Sequence, residues 1–320
     1  MEKQPAEYIP IQCKTALHSV SGGFPYKLDL NIYRGCENGC KYCFAIYSHK
    51  YMMPGELKDQ SAARSSEGYY DQIYVKTNIA AQLDKELTRS KKKQVINIGG
   101  VCDSYQHAEM LFELMPDILR VMLKHKNPII ISTKSDLILR DFDLIDELSK
   151  HVFVNIGSTI TTSDESLAKK AEPGAVSTKR RFDMLERFKK TDATIGVHVM
   201  PVLPYLTDTP KNLEAVFSKT KEIGADYIIV QTLYLRGQTK PVYFEFIQTE
   251  FPELLDDVRK LYQAGSLDKG YKKKFYSMLG PLLKKYDLST DFAKPVLDAE
   301  SKTEAETFDK AVTQKTLFDF

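Results

Sequence analysis

Short apolar runs alternate with amphipathic stretches along most of this chain. The runs Leu28–Tyr33, Gln94–Ile98, Pro128–Thr133, Val152–Ile156, Thr194–Met200 and Tyr227–Gln231 are nearly continuous in apolar side chains. Strands covered on both faces read this way, because neither face meets water. Between them, Asn78–Leu87, Ala108–Leu123, Phe142–Leu148, Thr178–Phe188 and Leu213–Ile223 carry apolar residues at helical spacing. Strand followed by helix, repeated, predicts right-handed βαβ units on a parallel sheet. About six units give an α/β fold, a partial (β/α)6 TIM-type barrel. Residues 1–27, with Pro10, Gly22, Gly23 and Pro25, read as an irregular N-terminal lead-in. The barrel is expected over 28–236. Within it, Ala45–Gln72 is too long for a simple connection and, rich in Tyr, Met and Gly, is expected to cover the mouth of the site. Past residue 236 the rhythm changes. Phe251–Tyr262 and Lys272–Tyr286 read as helices, so 237–300 is expected to be a helical extension over the barrel. Residues 301–320 read as a polar linker and an apolar C-terminal tail.

Composition narrows the picture. At 320 residues, 42% hydrophobic and 28% charged, the chain supports one large domain or slightly more. It has no run of about eighteen apolar residues, so no membrane span is expected. Its first residues, Met1-Glu2-Lys3-Gln4-Pro5, lack the apolar core of a signal peptide. Five cysteines, three of them clustered, point to a reducing compartment and metal binding rather than disulfides. A cytoplasmic location is the expectation. The net charge of +2 neither demands nor forbids nucleic acid. The clusters Lys91-Lys92-Lys93, Lys179-Arg180-Arg181 and Lys272-Lys273-Lys274 are local and suit solvated faces as readily as phosphate contacts.

The chemistry concentrates in Arg34-Gly35-Cys36-Glu37-Asn38-Gly39-Cys40-Lys41-Tyr42-Cys43-Phe44. Cysteines at i, i+4 and i+7 put three thiols on one side of a tight loop. A closed structural zinc site wants four ligands. Three thiolates suit a cubane iron–sulfur cluster with one iron open to a substrate or second cofactor. A zinc knuckle completed by Cys13 or Cys102, or a set of unrelated buried cysteines, stays open as an alternative at this point.

In a parallel barrel the reacting groups stand just beyond the C-terminal strand ends. The second strand ends in Gly99-Gly100-Val101-Cys102-Asp103, where two glycines expose backbone to a passing ligand. The third ends in Thr133-Lys134-Ser135, whose lysine is placed to neutralise a carboxylate. The fourth ends in Gly157-Ser158-Thr159, with a hydroxyl for a ribose or carboxylate. The fifth carries His198, read as a packed strand residue. Asp103, Tyr105 and Gln106 are expected to border a substrate or to cap the next helix.

The spacing Cys-x3-Cys-x2-Cys followed by an aromatic resembles the signature of radical S-adenosylmethionine (SAM) enzymes. Further phrases are similar to one branch, spore photoproduct lyase and its DNA-repair-photolyase-like relatives. They are Asn31-x-Tyr33-Arg34-Gly35-Cys36, Asp103-x-Tyr105-Gln106-x-Ala108-Glu109, Thr133-Lys134-Ser135, Glu172-Pro173-Gly174 and Met200-Pro201-Val202-Leu203-Pro204. The likeness covers roughly residues 28–265. It implies a barrel of the radical SAM kind and a [4Fe–4S] cluster on Cys36, Cys40 and Cys43. It also implies SAM on the open iron and hydrogen abstraction by a 5′-deoxyadenosyl radical. By the same resemblance, Gly99, Gly100, Lys134 and Ser158 contact SAM, and the Phe44 backbone meets adenine. The expected substrate is a DNA lesion, and the expected electron donor is a flavodoxin or ferredoxin. The lyases carry tyrosines on both sides of the third cysteine and a hydrogen-donating cysteine after the second strand. Here Tyr42 precedes Cys43, but Phe44 follows it, and Cys102 stands one residue from the donor's place. Tyr42 and Cys102 are the radical-relay candidates. A same-branch enzyme acting on RNA, a peptide or a small molecule is the first alternative. A non-catalytic, metal-stapled nucleic-acid-binding protein is the second. Finally, Gln314-x-Thr316-Leu317-Phe318 resembles the short peptide with which DNA-repair proteins bind the sliding clamp, through Gln314, Leu317 and Phe318.

Overall fold

The structure is a computed structural model that describes residues 6–48, 66–90, 92–235, 237–299 and 301. Its described strands are β1 (Glu7–Ile11), β2 (Leu17–Ser19), β3 (Leu28–Leu30), β4 (Tyr33–Arg34) and β5 (Gln72–Lys76), then β6 (Ile96–Ile98), β7 (Ile129–Ser132), β8 (Val154–Thr159), β9 (Thr194–Val202) and β10 (Tyr227–Thr232). The main sheet runs β10-β9-β8-β7-β6-β3-β2. Six of its strands pair in parallel, from Leu28 against Ile96 to Tyr227 against Gly196. Only β2 is antiparallel, on the β3 edge. Ile96, Ile98, Ile129, Ile131, Ile156, Ile195 and Val197 are fully buried, as strands covered on both faces require. The expected six βα units are therefore present, wound into the mixed α/β barrel arrangement.

Three expectations change. Residues 1–27 are not wholly irregular. β1 joins β5 and β4 in a separate three-stranded sheet, and β2 extends the main one. The first apolar run is two strands, because the chain leaves the main sheet after Leu30 and pairs Tyr33 with Val75 instead. The helix expected over Ala108–Leu123 is two helices, His107–Phe112 and Leu114–His125, broken at Glu113 with φ 47°. Pro116 lacks an amide hydrogen and its ring crowds the carbonyl four residues back, which disfavours one continuous helix here. The Glu109 carboxylate takes over the freed amides of Leu114 and Met115, at 3.2 and 2.9 Å.

The extension after residue 236 divides. Helices Thr239–Glu250 and Leu255–Leu261 pack beside the cysteine loop, in a core of Tyr243, Phe246, Ile247, Val258 and Tyr262 with Cys40 and Tyr42. The helix Lys269–Lys285, capped by Asp268, runs along helix Pro210–Glu222 toward the other end of the barrel. There Phe292 lies 5.2 Å, ring to ring, from Tyr227, and Val296 is fully buried against Val95 and Ile130. So the extension covers both ends of the barrel. No described helix is long and apolar enough to cross a membrane. Gln314, Leu317 and Phe318 lie outside the described residues, as do residues 49–65 of the long connection.

Candidate active site

The cysteine loop follows β4 and is shaped by contacts from five other parts of the chain. At Gly35, φ is +88° and a Cβ would stand 2.5 Å from the Gln72 carbonyl, so only glycine allows the turn. Helix Ser66–Asp71 then lies against the loop. The Cys36 amide donates to the Tyr69 carbonyl at 2.9 Å, and the Tyr70 hydroxyl to the Cys40 carbonyl at 2.7 Å.

The phrase Asp103–Glu109 holds the loop from a second side. Asp103 is buried and accepts four hydrogen bonds: Asn38 Nδ2 and the Lys134 amide on Oδ2, and Thr133 Oγ1 and the Tyr105 amide on Oδ1. It thus ties the loop to the ends of β6 and β7. Gln106 accepts from the Glu37 amide at 2.8 Å and donates to the Gly35 carbonyl at 3.3 Å. Glu37 in turn accepts from the Ala108 amide and from Tyr8 of β1, each at 2.7 Å. The Tyr33 hydroxyl donates to Glu109 at 2.5 Å. Of the three residues expected to border substrate or cap a helix, Asp103 and Gln106 are clips of the cysteine loop, while the Tyr105 hydroxyl donates to Asp141 at 3.1 Å.

Glu172-Pro173-Gly174 supplies a third side. The Gly174 amide donates to the Asn38 carbonyl at 3.0 Å, and any Cβ at Gly174 would collide with the Glu37 carbonyl. The Glu172 carboxylate is buried, accepts the Tyr42 hydroxyl, and pairs with buried Arg181 at 2.5 Å. Arg181 also donates to the Val176 and Thr159 carbonyls. So Arg181 of the basic cluster is an interior clamp, while Lys179 and Arg180 pair with Asp183 and Asp136. Lastly, Thr239 Oγ1 donates to the Cys43 carbonyl at 2.9 Å.

Cys36 and Cys40 are buried and Cys43 half-buried. Burial, then Asp103 and the other two thiols, pushes the Cys36 thiol far above its usual range. Cys40 is pushed up to about 12 by burial, partly relieved by Lys134. Thiolates in so dry a place need a cationic centre to exist. Among the described residues no three His, Cys, Asp or Glu side chains converge on one point for a single ion. A cubane asks for no such convergence, since each thiolate takes its own iron. The donor set fits a cluster.

The remaining sequence-stated candidates fall in different places. Lys134 is enclosed. Burial opposes its charge, but Cys40 as a thiolate and the Glu172 carboxylate outweigh burial and push its ammonium above its usual range. Its Nζ lies 5.9 Å from the Tyr42 ring centre. Phe44 is 56% exposed at the rim. Gly99 and Gly100 end β6, and the space a Gly100 side chain would fill is taken by Asp29. Ser158 is fully buried and donates to the Thr133 carbonyl at 2.6 Å, a bond between strands. Burial pushes the Cys102 thiol up to about 12. His198 is packed, as expected, 3.1 Å from the Tyr227 hydroxyl. Sequence reasoning missed Tyr69, Asn38 and the Glu172–Arg181 pair. Their signal was the Glu172-Pro173-Gly174 phrase and the Tyr69-Tyr70 pair, which spacing alone does not bring to the loop.

The sequence model of the radical SAM superfamily matches residues 30–215. An uncharacterised protein of Mycobacterium tuberculosis is 32% identical over 287 residues, covering 88% of this chain and 81% of the relative. One of Methanocaldococcus jannaschii is 27% identical over 268 residues, covering 81% and 87%. Among solved structures, a mutant spore photoproduct lyase with bound AdoMet and dinucleoside spore photoproduct matches with TM-score 0.61 at 14% identity, covering 87% of this chain and 79% of that one. At that identity the likeness is one of fold.

Proposed function

This chain belongs to the radical SAM superfamily, and from that premise we propose that it acts on a damaged nucleobase in DNA, as a relative of spore photoproduct lyase. The family's [4Fe–4S] cluster and SAM, with a one-electron reductant, supply a 5′-deoxyadenosyl radical. Cys36, Cys40 and Cys43 are the residues to hold the cluster. Lys134, kept protonated beside Cys40 and Glu172, is the cation for the SAM carboxylate. Gly99 and Gly100 offer backbone to its methionine part, and the backbone of Phe44 faces the adenine. Ser158 acts by fixing β8 to β7 under them. Tyr42 and Glu172 close the loop against Arg181 and keep water from the buried side.

The observation that carries the substrate reading is the fold shared over 87% of the chain with a lyase holding a dinucleoside lesion. The rim supports it. Phe44, Tyr205 and Tyr234, beside the third cysteine and past the ends of β9 and β10, are 56%, 40% and 59% exposed. Exposed aromatic faces at a cofactor mouth suit stacking on an unpaired base. Cys102 is the hydrogen donor we assign to the product-forming step, with Tyr42 as the alternative relay. A sliding-clamp contact through Gln314, Leu317 and Phe318 would bring the enzyme to DNA.

The test is anaerobic incubation with SAM, dithionite and ultraviolet-damaged oligonucleotides deuterated at thymine. Iron and sulfide of about four each per chain, with deuterium in 5′-deoxyadenosine, are expected. Stoichiometric zinc without sulfide overturns the cluster assignment. Deuterium transfer from RNA or a peptide, and none from DNA, overturns the substrate.

A further inference from the structure

Tyr69 stands in the last turn of helix Ser66–Asp71 and is 1% exposed. Its backbone carbonyl holds the Cys36 amide. Its hydroxyl lies 3.8 Å from Cys43 Sγ and 2.6 Å from the Val101 carbonyl at the end of β6. The same hydroxyl feels the thiols of Cys36 and Cys102. No other phenol among the described residues has a hydroxyl bonded to a cysteine sulfur of the loop.

The metal-free arrangement is self-consistent. The Cys43 S–H points at the phenolic oxygen, and the phenolic O–H points at the Val101 carbonyl. Metal binding removes the proton from Cys43. The thiolate then faces a phenolic lone pair, which is repulsive in a buried site. Rotation of one O–H bond relieves this, because the phenol can donate to the sulfur instead of to Val101.

We propose that Tyr69 is a positioning residue for the cluster, whose hydroxyl donates to the Cys43 sulfur in the loaded protein and raises the reduction potential of the cluster. This rests on the reading of Cys43 as a ligand. The sign follows from charge. Reduction adds negative charge to the cluster and its sulfurs, and a donor on a ligand sulfur stabilises the more negative state. The residue lies 26 positions from Cys43 in sequence, near the end of the Ala45–Gln72 connection, and no cysteine spacing points to it.

The experiment uses the full chain, reconstituted anaerobically, with the midpoint potential followed by electron paramagnetic resonance during a redox titration. Tyr69→Phe is expected to keep its iron and sulfide and to shift the potential to more negative values. Replacement of Tyr69 by 3-fluorotyrosine, a more acidic and stronger donor of nearly the same size, is expected to shift it the other way. Wild-type potentials in both loaded proteins overturn the proposal. If Tyr69→Phe fails to retain iron, the fluorinated protein decides, and an unchanged potential there overturns it. Failure of the premise looks different: Cys43→Ala protein with a full iron and sulfide complement removes Cys43 as ligand, whatever the potentials are.

Discussion

Asp103 shows how much one carboxylate carries here. Its two oxygens each accept two hydrogen bonds, from the cysteine loop, its own turn and the end of β7. Asp103→Ala leaves these buried donors without a partner and should cost about 3 kcal/mol by urea unfolding, with loss of iron. Asp103→Asn should do nearly as badly, because its amide would turn a donor toward other donors, and this separates a hydrogen-bond role from one of shape. His198 gives a pH prediction. Burial, then the charge of Lys134, pulls its imidazole down to about 4. A base depressed in the folded state binds its proton more readily when unfolded. The stability it contributes is present above the unfolded value of 6.5 and falls as the pH drops from there toward 4. The loss should reach about 3 kcal/mol near pH 4 and disappear from the pH profile of His198→Phe relative to wild type.

At the scale of elements, the six strands were legible because double burial leaves an unbroken apolar run. The short edge strands β1 and β2 were not, since edge and half-exposed strands have no such run, and β1 pairs with a partner more than sixty residues away; β5, buried in the middle of its small sheet, is short and starts inside the stretch read as a connection. The helix break at Glu113 was written in Pro116, but the 3.6-residue pattern continues across it and hides the break. The cysteine loop was legible since its spacing is local. Its clamp was not, because Tyr42 and Glu172 are 130 positions apart and only the fold brings them together. The segment 293–299 gives a test of element-level reading. Val296→Ala removes two methyl groups from a fully buried site at the bottom of the barrel and should cost about 2 kcal/mol, while the iron content stays at wild type. Loss of iron with this change would mean that the bottom plug and the cluster loop are coupled.

For the whole molecule, the division of the extension has a measurable consequence. Truncation after residue 235 removes the helices that pack on Cys40 and Tyr42 and also the plug under β10 and β7. The expected outcome is protein that neither retains iron nor unfolds cooperatively by circular dichroism. A shorter truncation, after residue 288, removes Phe292, the plug, the Ser289 carbonyl that accepts from Ile228 of β10 and the tail beyond 300, but leaves the helices on Cys40 and Tyr42, and should keep the cluster with a lower thermal midpoint. A truncated chain ending at 235 that still holds a full cluster would show that the barrel alone shapes the loop.

The hydrogen bond from Thr239 to the Cys43 carbonyl joins residues 196 positions apart. Proteins are made from the N-terminus at ~5–20 residues per second, so about 10–40 s pass between synthesis of the cysteine loop and of its last clip. By the end of that interval the clips from Tyr69, Asp103 and Gly174 are already made, and only the helices after residue 236, which pack on Cys40 and Tyr42, are missing. Until those helices arrive, one side of the loop stays uncovered. The loop is therefore closed on all sides only when the chain is nearly complete.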